Sequence, residues 1–320
     1  MDGKGEIPED MLAGMEAPPP DLTEGYFASR EKRADWEAVV RDGGAVRGLS
    51  MAMPAWGSVL SERQITEVVD HMKGFVDQSL YPQGETNFFR AHQVTKAFVE
   101  QEFLVIPTIT TSGGTTETET VLYYANRFGN RFQYEAKVPV IFENGPGTAH
   151  AGVGDLEVGL KYCVFDDHLA KQIFSVGIES ALPTGNRTLG YSNKEVLANF
   201  YMAGGIQFGD LIQTQASVKF EAPAASYFDD LEIKSAVSAT AVLAESKQGF
   251  FPGIELVHIY EKASSESFVF LIPKLYWGIS AKGHLAISVG PELQVSGPLK
   301  FDTRWRAFFL WDYVDGGLWW

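Results

Sequence analysis

The chain has 320 residues, room for two domains or for one large β-domain with an appendage. Hydrophobic residues at 45%, aromatics at 13% and 32 glycines exclude wholesale disorder and suit a turn-rich β protein, while the net charge of −15 excludes nucleic acid as a partner. No apolar run reaches the ~18 residues that a membrane-spanning helix needs, and a single cysteine, Cys163, excludes both an intrachain disulfide and a Cys-x-x-Cys-His motif.

Residues 1–25 are acidic and proline-containing, with the turn chemistry of Gly3-Lys4-Gly5-Glu6-Ile7-Pro8 and Pro18-Pro19-Pro20-Asp21-Leu22. They carry no basic, then apolar, leader pattern, so an outer-membrane reading expects further sequence upstream. Glu31–Arg41 is expected to be helical, with Trp36, Val39 and Val40 on one face and Asp42-Gly43-Gly44 ending it. After Met51-Ala52-Met53-Pro54-Ala55-Trp56-Gly57, Ser61 with Gln64 three residues on has the spacing of a capping box. It opens a helix to about Phe75 with the stripe Ile65, Val68, Val69, Met72 and Phe75.

In this order, Asp2-Gly3-Lys4-Gly5, the three prolines, Phe27–Arg30, Arg41–Gly44, Met51–Gly57 and the capped helix resemble the distal part of a class I c-type cytochrome domain, over residues 2–76. The resemblance implies that Met53 is an axial haem ligand, its thioether raising the iron's potential. Pro54, Trp56 and Trp36 would help to form the pocket. Met51 is the competing ligand, less favoured because Pro54 rigidifies the loop that presents Met53. The thioether cysteines and proximal histidine of that family are absent. Haem c is therefore expected only for a complete protein of which this chain is a piece, and covalent attachment is impossible in the chain as given. His71, in the last helix, reads as a structural residue.

Residues 79–96 read as a linker, after which the hydrophobic period changes to two. Phe132, Tyr134, Ala136, Val138 and Val140 alternate with Arg131, Gln133, Glu135 and Lys137, and the same pattern recurs in about twelve segments: 98–111, 118–126, 131–143, 155–166, 171–183, 194–208, 211–223, 232–246, 252–263, 267–281, 284–296 and 302–314. Strands of this length, even in number and with aromatics near their ends, suit a tilted membrane barrel. A soluble sandwich or lipocalin-like barrel would have to bury the charged face or expose the aromatic one. The expectation is a mainly β chain, an antiparallel transmembrane β-barrel of about twelve strands over 97–320 with a small α-helical cytochrome c-like domain over 1–78. Gly152-Val153-Gly154-Asp155-Leu156 and Leu182-Pro183-Thr184-Gly185 resemble outer-membrane barrels of the MetA-pathway phenol-degradation type, which implies uptake of small organic molecules. Phe301–Val314 resembles the terminal assembly strand of such barrels, although Asp315–Trp320 runs on past it.

No catalytic constellation is recognisable. His150, His168, His258 and His284 lack a serine and supporting acid in pattern, and Asp166-Asp167-His168 reads as a solvated turn. Cys163 reads as a lumen or wall residue. Lys137, Lys161, Lys219, Arg304 and Arg306, with Glu135, Glu157, Glu179 and Glu221, are expected to form a polar lumen. Two functions stand open. The first is electron transfer by a periplasmic haem domain anchored to an outer-membrane barrel and served by a periplasmic redox partner. The alternative is a channel for small organic solutes with a vestigial cytochrome segment. Outer-membrane lipid is the expected surrounding of the barrel in both.

Overall fold

The computed structural model describes residues 2–13, 18–226, 228–244 and 247–318; Trp319 and Trp320 of the expected extension lie outside the described residues. Four short helices come first: α1 (Glu9–Leu12), α2 (Gly25–Arg30), α3 (Arg33–Asp42) and α4 (Glu62–Lys73). The capping box forms as expected, Ser61 N–H donating to Gln64 Oε1 at 3.0 Å while Ser61 Oγ accepts from the Gln64 N–H. It satisfies two of the donors that every helix start leaves free. Val40 from α3 packs on Ile65 and Val69 from α4, with Trp36, Met53 and Leu60 against them. Val68 stays exposed, so the buried stripe of α4 is narrower than its pattern suggests.

The rest is strand: β1 (Glu102–Ser112), β2 (Thr115–Phe128), β3 (Phe132–Gly145), β4 (Thr148–Val153), β5 (Leu156–Asp167), β6 (Gln172–Leu182), β7 (Leu197–Phe208), β8 (Ile212–Pro223), β9 (Glu232–Ala241), β10 (Gly249–Glu261), β11 (Glu266–Gly278), β12 (Leu285–Ser296) and β13 (Thr303–Trp311). Consecutive strands pair antiparallel except β4 and β5, which both pair with β3, and β1 pairs with β13 (Leu104 opposite Leu310, Thr108 opposite Arg306), so the sheet closes on itself. Closure removes the edges of the sheet except along β4, which among the described residues pairs with β3 alone. β4 and β5 lie end to end along β3, opposite Val140–Gly145 and Phe132–Lys137 respectively. They act as one wall strand broken at Gly154-Asp155, and the barrel is twelve-stranded.

That break joins the two motifs of the second resemblance. Asp155 accepts from Gly185 N–H at 2.8 Å, Asn193 N–H at 2.7 Å and Ser192 Oγ–H at 2.7 Å. Thr184 Oγ1 accepts from Leu156 N–H at 2.9 Å. The interruption of the strand frees Asp155 to hold the 183–196 loop against the wall.

The period of two places apolar side chains outside and polar ones inside. Along β6, Ile178 is 56% exposed on the outer face and the next residue, Glu179, is 5% exposed on the inner one. Phe132, Tyr134, Phe200, Leu256, Trp277 and Trp305 share the outer face, as do Leu160 and Val289. The same alternation with the opposite sense would give a soluble protein; here the charge is enclosed.

Candidate channel lumen

The chain enters β1 and leaves β13 at the same mouth, and the helical segment sits over it. Tyr26 O–H donates to Gly129 O at 2.6 Å, Arg131 Nη2 to Ser79 O at 2.9 Å, and Gln83 N–H to Asp166 at 3.2 Å. Asp166 also pairs with Arg131 at 2.9 Å, so the acidic turn is engaged in docking. An ionic cluster completes the seal: Lys247 pairs with Glu31 at 3.2 Å, and Arg30 with Asp315. Burial would raise the Glu31 carboxyl, but Lys247 and Arg30 outweigh it and hold it below its ordinary range. Asp315 goes the other way, raised by burial and by the neighbouring Asp312 and Glu31. Arg127 of β2, buried inside this mouth, lies 4.8 Å below the ring of Tyr26 and 5.8 Å from that of Phe98. Helices, barrel and the segment between them meet on one guanidinium.

Residues 79–96 are not the spacer their composition suggests. From Phe88 the chain dips into the barrel, turns near mid-depth at 92–95 and returns to the capped mouth to start β1. Phe88, Phe89, Ala91, Val94, Ala97, Phe98 and Val99 are all buried. This re-entrant loop has no regular structure of its own, so its backbone groups need partners, and the barrel wall supplies them. Gln213 Oε1 accepts from Phe89 N–H at 2.9 Å, and Gln215 donates to Phe89 O at 2.7 Å. Glu255 accepts from His92 and Gln93 N–H at 2.6 and 2.8 Å, and Ser217 from Thr95 N–H at 3.0 Å. On the way back Ser175 donates to Ala97 O at 2.5 Å, Lys161 to Phe98 O at 3.2 Å, and Gln133 accepts from Glu100 N–H at 2.7 Å. Composition alone could not reveal this, because the signal is the fit of wall amides to loop backbone. Cys163 packs on the loop within the cluster of Phe88, Phe98 and Tyr201, a lumen-side residue as expected.

Beyond the loop, the other half of the lumen is charged. Lys137 reaches Glu179 at 2.9 Å and Glu157 at 3.2 Å, and Lys219 reaches Glu179 at 2.7 Å. Arg304 pairs with Glu292 at 3.1 Å, and Arg306 with the same carboxylate. Sequence reading placed the five basic members and the carboxylates Glu135, Glu157, Glu179 and Glu221 on the inner face correctly. It missed Glu232, Lys234, Glu255, Lys274 and Glu292, although each occupies an inward position in the period of its strand.

The residues expected at a haem do come together, but around themselves. Trp56 N–H donates to Val40 O at 3.0 Å and Gly57 N–H to Arg41 O at 2.8 Å, so the 51–57 loop caps the end of α3. Met53 O accepts from Gly44 N–H at 3.0 Å, and the Met53 side chain packs on the α3–α4 cluster with Trp36. Met51, Pro54 and Trp56 face outward. His71 is exposed, edge-on to Phe75. Among the described residues no group of three His, Cys, Asp or Glu is placed to hold a metal. One thioether engaged in packing does not make a haem site, and the residues present do not fit the group.

No family model and no curated protein sequence matches the chain. Among solved structures, an outer-membrane channel from Pseudomonas putida F1 is similar over 70% of this chain and 99% of its own, with 13% identity and a TM-score of 0.51. The KdgM porin is similar over 66% and 98%, with 13% identity and a TM-score of 0.45. The fold is that of outer-membrane β-barrel channels.

Proposed function

We propose that the chain is an outer-membrane channel for small solutes, and that its own residues 87–101 close it at one end. The observation that carries this reading is the inverted barrel: an apolar outer wall around an inner wall of carboxylates, ammonium groups, guanidinium groups and amides. Lipid favours the outside and water the inside. The helical segment is assigned to the periplasmic side, because the opposite mouth bears the long 183–196 loop, and outer-membrane barrels keep their longer loops outside the cell. A barrel whose cap and loop meet at the same end suits solute passage that is shut at rest.

Planar-bilayer recording of the purified chain tests it. Discrete but infrequent current steps are expected, becoming frequent when the loop contacts are weakened. Silent bilayers, both for the chain itself and for variants with a loosened loop, would refute it. The electron-transfer reading rests on the resemblance of residues 2–76, in which Met53 is the one implied iron ligand that the chain contains. A haem absorbance band in protein from periplasm-directed expression of a longer gene product is the observation that would restore it.

A further inference from the structure

We propose that the charged half of the lumen holds a binding site for small zwitterionic solutes, built from Lys219, Glu221, Glu232 and Lys234; the proposal rests on the channel reading above. Across the β8–β9 pair, Lys219 stands directly opposite Lys234, and Glu221 directly opposite Glu232. Opposed like charges weaken a sheet. Exchanging the two residues on β9 would have made two closed ion pairs of the same four side chains. The arrangement instead sets a two-lysine subsite beside a two-glutamate subsite. Inward positions two residues apart lie about 6.6 Å apart along a strand, a span that flexible side chains reduce to that of an ammonium and a carboxylate on one small molecule.

These four residues line a cavity of about 130 Å³. Cavities near that size accept benzene-sized guests, so the solute has about six to eight non-hydrogen atoms. The site is braced from behind. Lys219 pairs with Glu179 at 2.7 Å, Glu221 accepts from Asn199 Nδ2 at 3.0 Å, and Lys234 donates to Gln93 Oε1 at the turn of the re-entrant loop. A solute carboxylate at the lysines gives Lys234 an ionised acceptor in place of a neutral amide, the stronger of the two hydrogen bonds. It therefore competes with the loop for that ammonium. A simple anion meets Glu221 and Glu232 without a counter-charge of its own, and a simple amine meets the two lysines.

Calorimetric titration of the full chain in detergent with β-alanine, propionate, propylamine and propanediol tests the site, with bilayer recording on the same preparation. β-Alanine is expected to bind at least tenfold more tightly than the other three. Lys219→Gln with Lys234→Gln should abolish that advantage and favour propylamine; Glu221→Gln with Glu232→Gln should abolish it and favour propionate. Heat-modifiable gel mobility identifies folded variants, and Lys219→Arg with Lys234→Arg, which keeps the charge, should retain the preference. Equal binding of all four solutes, or none, in a preparation that conducts overturns the site and leaves the channel standing. A silent preparation overturns the channel and the site with it.

Discussion

Lys274 Nζ lies 3.0 Å from Glu255 Oε1, and both side chains are wholly sealed from solvent. The same carboxylate accepts the two successive N–H groups of the re-entrant loop, so one wall residue neutralises a buried ammonium and pins the turn of the loop. Glu255→Ala removes both functions. Breaking a buried pair costs about 3–5 kcal/mol because the surviving charge is left unpaired. The expected outcome is a lower melting temperature, loss of amide-exchange protection at His92 and Gln93, and a tenfold or greater rise in the frequency of bilayer openings. Unchanged protection at those two amides would remove Glu255 from its pinning role.

Phe88 is seated by an absence. A side chain at Gly205 would place its Cβ 2.6 Å from the Phe88 ring, inside contact distance of a bulky group that the wall of β7 backs. Gly205→Leu should evict Phe88, forfeiting about 1.5–3 kcal/mol of aromatic burial, and should expose Arg90 to trypsin. Adding Phe88→Ala should relieve the clash and reduce the stability loss. If Gly205→Leu alone leaves the tryptic pattern unchanged, the loop does not depend on that seat.

Docking of the helical cap should depend on pH with a defined sign. Burial would lower Lys247, but Glu31, Asp315 and Asp35 outweigh it and hold it above its ordinary 10.5. Its contribution is then fully present below about 10.5 and is lost as pH rises through the higher docked value. Glu31, held low, contributes above its ordinary 4.5 and fails as pH falls through its docked value. Asp315, held high, has the opposite sign and favours docking on the acid side, which blunts the acid limb. Trp36 fluorescence or limited proteolysis of the cap should show a plateau from pH 6 to 9 and release at strongly alkaline pH. In Lys247→Met the alkaline transition should disappear.

Met53→Leu separates packing from ligation. The swap conserves volume in the α3–α4 cluster, so a loss below about 1.5 kcal/mol is expected from packing alone. Cap melting followed by circular dichroism measures it. A markedly larger loss would give the sulfur a role that its apolar neighbours do not explain.

The barrel was legible because its signal is local and repeated. Strict alternation in segments such as Phe132–Val140 fixes strand identity and face at once, and all twelve expected segments contain a wall strand. Boundaries shifted where the chain leaves the wall: β1 starts at Glu102 rather than 98 because Phe98 and Val99 belong to the loop. The loop itself was illegible. Its partners Gln213, Ser217 and Glu255 stand more than 120 residues away in sequence, and nothing about a glutamate on a strand announces that it will accept backbone N–H groups. The helical segment was read correctly at the Ser61 cap, a contact within four residues. Its place on the barrel mouth depends on pairs such as Tyr26 with Gly129 and Glu31 with Lys247, which leave no local pattern.

The re-entrant loop goes in and comes out through one mouth, and this decides how it responds to force. A segment threaded through both ends could be removed only by drawing the whole chain along the bore. A loop anchored in β1 on one side and in the cap on the other can be peeled. Tension applied through residue 86 loads Phe88 against Gly205 first, then the Gln213 and Gln215 contacts of Phe89, then Glu255 at the turn, and only afterwards Ser217, Ser175, Lys161 and Gln133 on the return limb. Bonds loaded in series yield one at a time, at much lower force than the same bonds sheared together, and slackening the tension lets the loop reseat in reverse order without unfolding the wall.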